Sequence, residues 1–308
     1  MQKLIVMVGL PGSGKSWSAN ELVRNGEADI IVSSDKIREE LFGNEDDQSA
    51  NDKVFKLFYE RANKLLSEGK NVILDATNTT LKSRRKIFSE IKVPCTKICY
   101  IIATPVSKCI EQDSRRDRIV GEEVIRKFEG SFQCPQYFEG FDKIYGVETY
   151  TVHLLSGLNW IYKMKGFDQK NPHHKYGLLE HSKILANEMR KETKSDILYY
   201  AGILHDVGKL YTQTFDDNGI AHYYNHAEVG AYFLLTHSKG VKGLIAQDCG
   251  FNFDILLELL FYVNYHMLAH NIKTEKAEKK YKNLFGEKLY NNLMLFAKCD
   301  NMATGMEE

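Results

Sequence analysis

The sequence Gly-Leu-Pro-Gly-Ser-Gly-Lys-Ser occupies residues 9–16 and directly follows the apolar run Leu4–Val8. Its spacing, GxxxxGK[ST], lets a glycine-bearing backbone curl around a triphosphate so that successive N–H groups point at the phosphate oxygens. A side chain at Gly12 or Gly14 would obstruct that approach. The preceding strand pattern and the following helical pattern, Trp17 to Arg24, agree with this interpretation. We therefore expect a phosphate-binding loop rather than a plain glycine-rich turn.

This loop also predicts which groups hold a nucleotide. Lys15 is expected to bridge the outer phosphates of ATP or another nucleoside triphosphate, and Ser16 is expected to hold Mg²⁺. The remaining nucleotide contacts are expected from the loop positions Gly9, Gly12, Ser13 and Gly14.

Length and composition indicate a globular chain with more than one core. The 308 residues exceed the usual size of a single domain, and the 43% hydrophobic and 27% charged residues are ordinary values. Because 41 Lys and Arg residues balance 41 Asp and Glu residues, any site for a polyanion must be a local patch. The six cysteines show no CxxC pair or disulfide-like rhythm, which is typical of reduced thiols.

The sequence also bears on location. It shows no basic region followed by an apolar signal segment, and no apolar run reaches the roughly 20 residues that span a bilayer. We expect a cytoplasmic protein without a membrane partner. The sequence leaves the oligomeric state open.

The two halves of the chain have different patterns. The first half alternates short β-branched runs with helical patterns, which predicts a parallel sheet flanked by helices. From about Tyr176 onward the periodicity is helical nearly throughout, which predicts an all-α domain. The turn-rich segment from Gly166 to Pro172 separates them, so the predicted domains are residues 1–165 and 166–308. The expected strands are Leu4–Val8, Ile30–Ser33, Val72–Asp75 and Lys97–Ile102.

Polar residues follow the second and third expected strands, where a parallel sheet places its site. A kinase that phosphorylates a hydroxyl needs a carboxylate to take the hydroxyl proton, and Asp35 is the candidate. Arg38 lies one helical turn later and could clamp a phosphate of the acceptor with two hydrogen bonds. An N-cap of the following helix is the alternative role for Asp35.

A basic cluster lies farther along the first half, between two helical patterns, as expected of a lid. Arginines of such a lid could reach the transferred phosphoryl group and stabilise its negative charge. A solvated charged face is the alternative for each of them. The candidates are Arg115, Arg116 and Arg118. A second basic run, Lys82 with Arg84, Arg85 and Lys86, is expected to be plain helix surface, with contact to acceptor phosphates as the alternative.

Together these motifs resemble the polynucleotide 5′-kinase family over about residues 1–155. The motifs are GLPGSGKS, SDKIR, LDATNT, the arginine-rich stretch, VGEEVIRKF and the EGF tripeptide at Glu139–Phe141. The resemblance implies Asp35 as general base, Arg38 as acceptor-phosphate clamp and a lid arginine matched here to Arg116. The family's lid often reads Arg-Asn-x-x-Arg, whereas this chain has Gln112-Asp-Ser-Arg-Arg116, so the choice among the three lid arginines stays open.

The helical half places metal-binding residue types on several helices. His181 lies in one helical pattern, the adjacent pair His205-Asp206 closes the next, and Asp300 lies in the last. Imidazole and carboxylate groups from different helices can converge in a bundle core, and Gly208 provides a helix break beside the pair. A metal held there would lower the pKa of a bound water and polarise a phosphoryl oxygen.

This arrangement resembles the HD family of metal-dependent phosphohydrolases over about residues 173–308. The resemblance implies His181, His205, Asp206 and Asp300 as ligands of a divalent transition metal such as Mn, Ni, Co, Fe, Zn or Cu. His226 and His266 fall where some members have ligands of a second metal or contacts to phosphate, and both roles stay open. Lys209 matches a frequent lysine of the family, and two roles stay open for it: contact with the substrate phosphate, or a helix cap. Five other histidines of the helical half receive no role: His173, His174, His222, His237 and His270.

The two resemblances together imply a bifunctional enzyme that heals nucleic-acid ends. One site would phosphorylate 5′-hydroxyl ends of RNA or DNA, and the other would remove a 3′-phosphate or open a 2′,3′-cyclic phosphate, with a downstream ligase as a candidate partner. A bacterial family fuses the same two modules with the HD module first, whereas here the kinase module comes first. Two alternatives remain open: a nucleoside or sugar kinase fused to an HD nucleotidase, and a nucleotide-sensing regulatory module.

Overall fold

The computed structural model describes residues 1–45, 49–148, 156–172 and 175–305. Its contacts divide the chain into two compact units. The first comprises residues 1–128 and 135–150, and the second comprises residues 129–134 and 151–308. The domain boundary predicted at residue 165 stays a prediction. His173 and His174 lie outside the described residues.

The first unit is built on a five-stranded sheet in the order β2-β3-β1-β4-β5, with every neighbouring pair parallel. The predicted α/β fold of the first half is confirmed. The four expected strands are present. The sequence does not predict the fifth strand, which is polar and mostly exposed. The strands are β1 (Lys3–Val8), β2 (Ile30–Ser33), β3 (Val72–Asp75), β4 (Thr96–Ala103) and β5 (Lys143–Glu148).

Helices connect these strands, because parallel strands require a crossover between one strand and the next. A short 3₁₀ helix at Tyr137–Glu139 precedes β5. The helices are α1 (Lys15–Arg24), α2 (Ser34–Phe42), α3 (Asn51–Ser67), α4 (Leu81–Glu90), α5 (Val106–Asp113) and α6 (Glu122–Glu129).

The centre of the sheet forms the core of the first unit. Every residue of β3 is buried, as are Leu4 to Val8 of β1, because a parallel sheet is covered on both faces. The carboxyl ends of β1, β2 and β3 lie at one edge of the sheet, since these strands pair in parallel register. The loops that follow them therefore start side by side.

The second unit is mainly helical, as predicted. A two-stranded antiparallel hairpin, β6 (Thr214–Phe215) and β7 (Ala221–His222), interrupts the helices. The helices are α7 (Ser156–Lys165), α8 (Leu178–Glu192), α9 (Asp196–Leu204), α10 (Lys209–Thr212), α11 (His226–Thr236), α12 (Ser238–Cys249), α13 (Phe253–Ala269), α14 (Glu275–Phe285) and α15 (Glu287–Ala303).

Residues 129–134 belong to the second unit although they lie within the first half of the sequence. Asn264 of α13 holds this segment with its side-chain amide: Oδ1 accepts a hydrogen bond from Cys134 N at 2.7 Å, and Nδ2 donates to Phe132 O at 3.0 Å. The Phe132 ring is fully buried and packs edge-on against Tyr232. The segment is therefore part of the core of the second unit.

Among the described residues, no helix combines the length and apolar character that a bilayer crossing requires.

Candidate active sites

The loop between β1 and α1 has the backbone that its glycines predict. Gly14 precedes α1 with a φ of +90°, in the left-handed region that favours glycine. At Gly12 a Cβ atom would lie 2.3 Å from the carbonyl oxygen of Cys109, which is backbone and cannot move aside. Both positions therefore require glycine, and the first N–H groups of α1 are left to bind an anion.

Two side chains of the loop contact groups that a nucleotide and its metal would replace. Lys15 Nζ donates to the carbonyl oxygen of Leu10 at 2.8 Å. Ser16 Oγ donates to Asp75 Oδ2 at 2.7 Å. Asp75 ends β3, so its buried carboxylate lies next to the Ser16 hydroxyl that the sequence assigns to Mg²⁺. The sequence places Asp75 at this end of the sheet but gives it no role.

The charges in this pocket influence one another. Burial lowers the pKa of Lys15, while the carboxylates of Asp75 and Asp35 raise it and Arg116 lowers it. Burial raises the pKa of Asp75, against the opposing effects of Lys15 and Ser16. Asp35, Asp75 and Arg116 therefore all lie close enough to Lys15 to act on its ammonium group.

Asp35 is free of a capping role. Ser33 is the N-cap of α2, and its Oγ accepts a hydrogen bond from Lys36 N. The side chain of Asp35 is 47% exposed and lies 2.8 Å from Arg38 Nη1. Arg38 is itself buried, and its Nη2 donates to Asn51 Oδ1 at 3.0 Å. A fixed arginine thus orients a carboxylate that solvent and an acceptor can reach.

The lid arginines have different surroundings. Arg115 is 73% exposed and pairs with Glu111, so it lies on a solvated face. Arg118 Nη1 lies 3.4 Å from Asp35 Oδ2, and Arg116 Nη1 lies 3.6 Å from Asp113 Oδ1. Asp113 is buried, and its Oδ2 accepts hydrogen bonds from the backbone N–H groups of residues 120 and 121, which closes the loop. Arg116 and Arg118 are therefore the two lid candidates that the geometry retains.

The expectation that the second basic run is plain helix surface is wrong for Arg84. Its guanidinium is fully buried and makes a two-bond ion pair with Glu139, Nε–Oε2 at 2.6 Å and Nη2–Oε1 at 2.8 Å. Nη1 donates to the carbonyl oxygen of Asn78 at 2.9 Å. A buried arginine needs such a partner because an isolated charge in the core is prohibitively costly.

The Arg84–Glu139 pair supports the loop that follows β3. Asn78 has a φ of +49°, and its Nδ2 donates to the carbonyl oxygen of Met7 at 2.9 Å. Gly9 N donates to the carbonyl oxygen of Thr77 at 3.1 Å. The buried pair is thus linked through this loop to the first residue of the phosphate-binding loop, and it also explains the glutamate of the EGF tripeptide.

In the second unit, four histidine rings are oriented in the same way. The Nδ1 atoms of His181, His205, His226 and His266 each lie 2.7 to 3.1 Å from a backbone carbonyl oxygen. Because a carbonyl oxygen only accepts, each Nδ1 carries the hydrogen and each neutral ring presents a lone pair at Nε2.

These four Nε2 atoms converge on Asp206. Asp206 Oδ2 lies 3.1 Å from the Nε2 of His205 and 3.6 Å from that of His181. Asp206 Oδ1 lies 3.2 Å from the Nε2 of His226 and 3.7 Å from that of His266. The two carboxylate oxygens thus face two different pairs of imidazoles. We call these five side chains, together with Asp300, the histidine–aspartate cage.

Asp300 completes one side of the cage. Its Oδ1 lies 3.0 Å from His181 Nε2 and 3.6 Å from His205 Nε2, and it is a buried atom without a hydrogen-bond partner among the described residues. Its Oδ2 lies 2.9 Å from His270 Nε2. His270, for which the sequence gave no role, therefore holds the outer oxygen of Asp300.

Lys209 adds a positive charge to the same centre. Its Nζ lies 2.7 Å from Asp206 Oδ2 and 2.9 Å from Gln169 Oε1. Burial raises the pKa of Asp206, but Lys209 is among the neighbours that outweigh this effect and hold the pKa well below its usual value. Burial lowers the pKa of His266 to about 4. The cage therefore combines ionised carboxylates with a neutral His266.

The donor set fits a divalent transition metal. Lone pairs on two neighbouring nitrogens repel each other, yet the Nε2 atoms of His181 and His205 lie 3.3 Å apart and those of His226 and His266 lie 3.1 Å apart. A cation removes this repulsion, and it also satisfies the buried, unpartnered Oδ1 of Asp300. Two groups of possible ligand atoms lie within 4.8 Å of one another: His181, His205 and Asp300, and His205, Asp206 and His266.

Two different family models match the two halves of the chain. A model of the AAA domain matches residues 4–135, and a model of the HD domain matches residues 173–305. This chain joins a kinase-like AAA domain to an HD domain. The AAA domain contains the phosphate-binding loop, and the HD domain contains the whole cage. The chain is therefore an enzyme with a nucleotide site and a metal site.

Similarity to solved structures is partial. A chain from a structure of the Pnkp1/Rnl/Hen1 RNA repair complex is 26% identical over 41% of this chain and 42% of that chain, with a TM-score of 0.38. A second structure of the Pnkp1/Rnl/Hen1 complex gives 28% identity over 36% and 38%, with a TM-score of 0.34. This chain therefore spans about two fifths of either relative. No curated protein matches it.

Three residues to which the sequence gives no role support the candidate sites. Asp75 contacts Ser16, Glu139 contacts Arg84, and His270 contacts Asp300. Asp75 ends a fully buried strand, a signal that could have identified it. Glu139 and His270 carry no such local signal, since their partners lie 55 and 30 residues away in sequence.

Proposed function

We propose that this protein heals nucleic-acid ends: the AAA domain phosphorylates 5′-hydroxyl ends with ATP, and the HD domain removes a 3′-phosphate or opens a 2′,3′-cyclic phosphate. The observation that carries the proposal is the pairing of Asp35 with the buried Arg38, because only a transferase to a hydroxyl needs a proton acceptor there.

In the AAA domain, each residue has a defined task. Asp35 takes the proton of the attacking 5′-hydroxyl, and Arg38 keeps its carboxylate oriented. Lys15 binds the outer phosphates in place of the Leu10 carbonyl. Arg116 or Arg118 neutralises charge on the transferred group. Ser16, with Asp75 beside it, would hold Mg²⁺, which would supply neutralisation of phosphate charge.

In the HD domain, the cage residues hold the metal and Lys209 meets the substrate. His181, His205, Asp206 and Asp300 are the proposed ligands of one metal, and Asp206, His226 and His266 those of a second. When bound, the metal provides a water of lowered pKa and a Lewis acid for the phosphoryl oxygen. Lys209 binds a non-bridging phosphate oxygen in this proposal, which its position 2.7 Å from Asp206 Oδ2 supports.

A single substrate tests both sites. An oligonucleotide with a 5′-hydroxyl and a 2′,3′-cyclic phosphate is incubated with the full-length protein, ATP, and Mn, Ni, Co, Fe, Zn or Cu in turn. We expect a 5′-phosphate and an opened or removed 3′-terminal phosphate. Lys15→Ala abolishes only the first product, and Asp206→Ala abolishes only the second. Phosphorylation of nucleosides in preference to oligonucleotides would overturn the nucleic-acid assignment.

A further inference from the structure

A lysine-rich segment in the HD domain has no role in either site. Between Lys273 and Lys282 the sequence contains five lysines and two glutamates, whereas the whole chain has a formal charge of +0. The segment enters α14, whose N-cap is Thr274. It is therefore a local positive patch on a neutral molecule.

One side of α14 packs against the domain and the other is exposed. Phe285 is buried, and its ring lies 5.0 Å from that of Phe261 and 5.1 Å from that of Tyr265. On the other side, Lys276, Lys279 and Lys280 are exposed and spaced three or four residues apart, so they share one face of the helix. With the exposed Lys273 they form what we call the lysine face.

The lysine face retains its charge for a ligand. Lys282, outside the face, pairs with Glu287 at 3.3 Å. Within the part of the chain that the structure describes, no carboxylate forms an ion pair with Lys273, Lys276 or Lys279. Glu275 and Glu278, the acidic residues of α14, weaken the positive field but do not cancel it.

The lysine face begins at the rim of the cage. His270 is 24% exposed and contacts the cage residue Asp300. Lys273 follows it by three residues, so their Cα atoms are at most about 11 Å apart. A strand whose terminal phosphate enters the cage beside His270 therefore has Lys273 within reach of its next phosphates.

We propose that the lysine face binds the phosphate backbone of a nucleic-acid strand whose 3′ end lies in the HD site. This inference rests on the proposed function, because it takes the 3′-phosphorylated end as the substrate of the cage. Lysines that neutralise backbone phosphates release counterions, which makes the affinity depend strongly on salt. A mononucleotide has no neighbouring phosphates and gains nothing from the lysine face.

The test compares two alanine variants of the full-length protein that lose equal charge. One carries Lys273→Ala, Lys276→Ala and Lys279→Ala. The control carries Lys163→Ala, Lys165→Ala and Lys194→Ala, three exposed lysines on other parts of the second unit. Binding of a 5′-fluorescein RNA with a 3′-phosphate is followed by anisotropy over a range of salt concentrations. The label leaves no 5′-hydroxyl for the kinase site.

We expect the first variant to bind the RNA at least about tenfold more weakly, with the slope of log affinity against log salt reduced by about 2, as for three lost phosphate contacts on a single strand. The control should bind like the wild type. Hydrolysis of a 3′-phosphorylated mononucleotide should be equal in all three proteins.

Equal RNA binding by the two variants would overturn the proposal that the lysine face binds RNA, whatever the hydrolytic activity of the protein. A wild type that binds RNA through the lysine face but hydrolyses neither substrate with any metal would instead overturn the proposed HD activity. The two failures are therefore distinguishable.

Discussion

His270 Nε2 lies 2.9 Å from Asp300 Oδ2, while the other oxygen of the same carboxylate faces His181 and His205. A carboxylate only accepts when ionised, so His270 donates and fixes the plane of the Asp300 side chain. A second residue that orients a metal ligand in this way reduces the entropy lost on metal binding.

Replacing His270 should therefore weaken metal binding, although every proposed metal ligand remains in the variant. We expect His270→Ala to raise the Kd for Mn²⁺ by about 10- to 100-fold, measured by calorimetric titration of the metal-free protein. His270→Gln, which retains an N–H donor, should recover part of the affinity. His222→Ala, at a half-exposed histidine of the hairpin, is the matched control. An unchanged Kd in His270→Ala would exclude the orienting role.

Asp35→Asn should remove the proton acceptor of the kinase site and little else. We expect kcat for 5′ phosphorylation to fall by about 10²- to 10⁴-fold, with the KM for ATP nearly unchanged, since Asp35 is not a nucleotide-binding group. Asp52→Asn, at an exposed position of α3, is the control. If Asp35→Asn raised only the KM for the acceptor, Asp35 would be a binding residue and not the base.

The buried Arg84–Glu139 pair should matter for stability. Arg84→Met leaves Glu139 buried without its partner, and we expect a loss of about 3 to 5 kcal/mol in the free energy of unfolding, measured with urea. The double variant Arg84→Met, Glu139→Leu should recover most of the loss, because no unpaired charge remains. Arg85→Met, one residue away and exposed, is the control. A double variant no more stable than Arg84→Met would contradict this explanation.

Asn264→Ala should loosen the segment of residues 129–134. It removes the hydrogen bonds that Asn264 makes with Cys134 N and Phe132 O, and we expect the unfolding free energy of the second unit to fall by about 2 to 4 kcal/mol. Trp160, buried in the same domain, reports the transition by fluorescence in a Trp17→Phe background. Asn292→Ala, which removes a bond to Tyr262 in a partly buried place, should cost less.

Sequence reasoning succeeded where a residue's role follows from its neighbours in the chain. Gly12, Gly14, Lys15 and Ser16 all belong to one short motif, and the strand before it is apolar and rich in β-branched residues. The adjacent His205 and Asp206 were recognised for the same reason. The alternation of short strands and helices likewise indicated a parallel sheet.

It failed where a role depends on a distant partner. Arg84 lies in a run of basic residues typical of a solvated helix, and only Glu139, 55 residues later, explains its burial. His270 follows an apolar helix like any surface histidine until Asp300 is brought beside it. Strand β5 escaped detection because its sequence, KIYGVE, has polar ends and a glycine.

The placement of Phe132 and Cys134 in the core of the second unit restricts where the chain can be divided into two separate modules. A cut at any one peptide bond between residues 135 and 155 would give an HD fragment that lacks the six residues 129–134. A cut before residue 129 would instead remove β5 from the AAA sheet. No single break point yields two intact modules, so a working split enzyme needs residues 129–134 supplied in duplicate or by circular permutation.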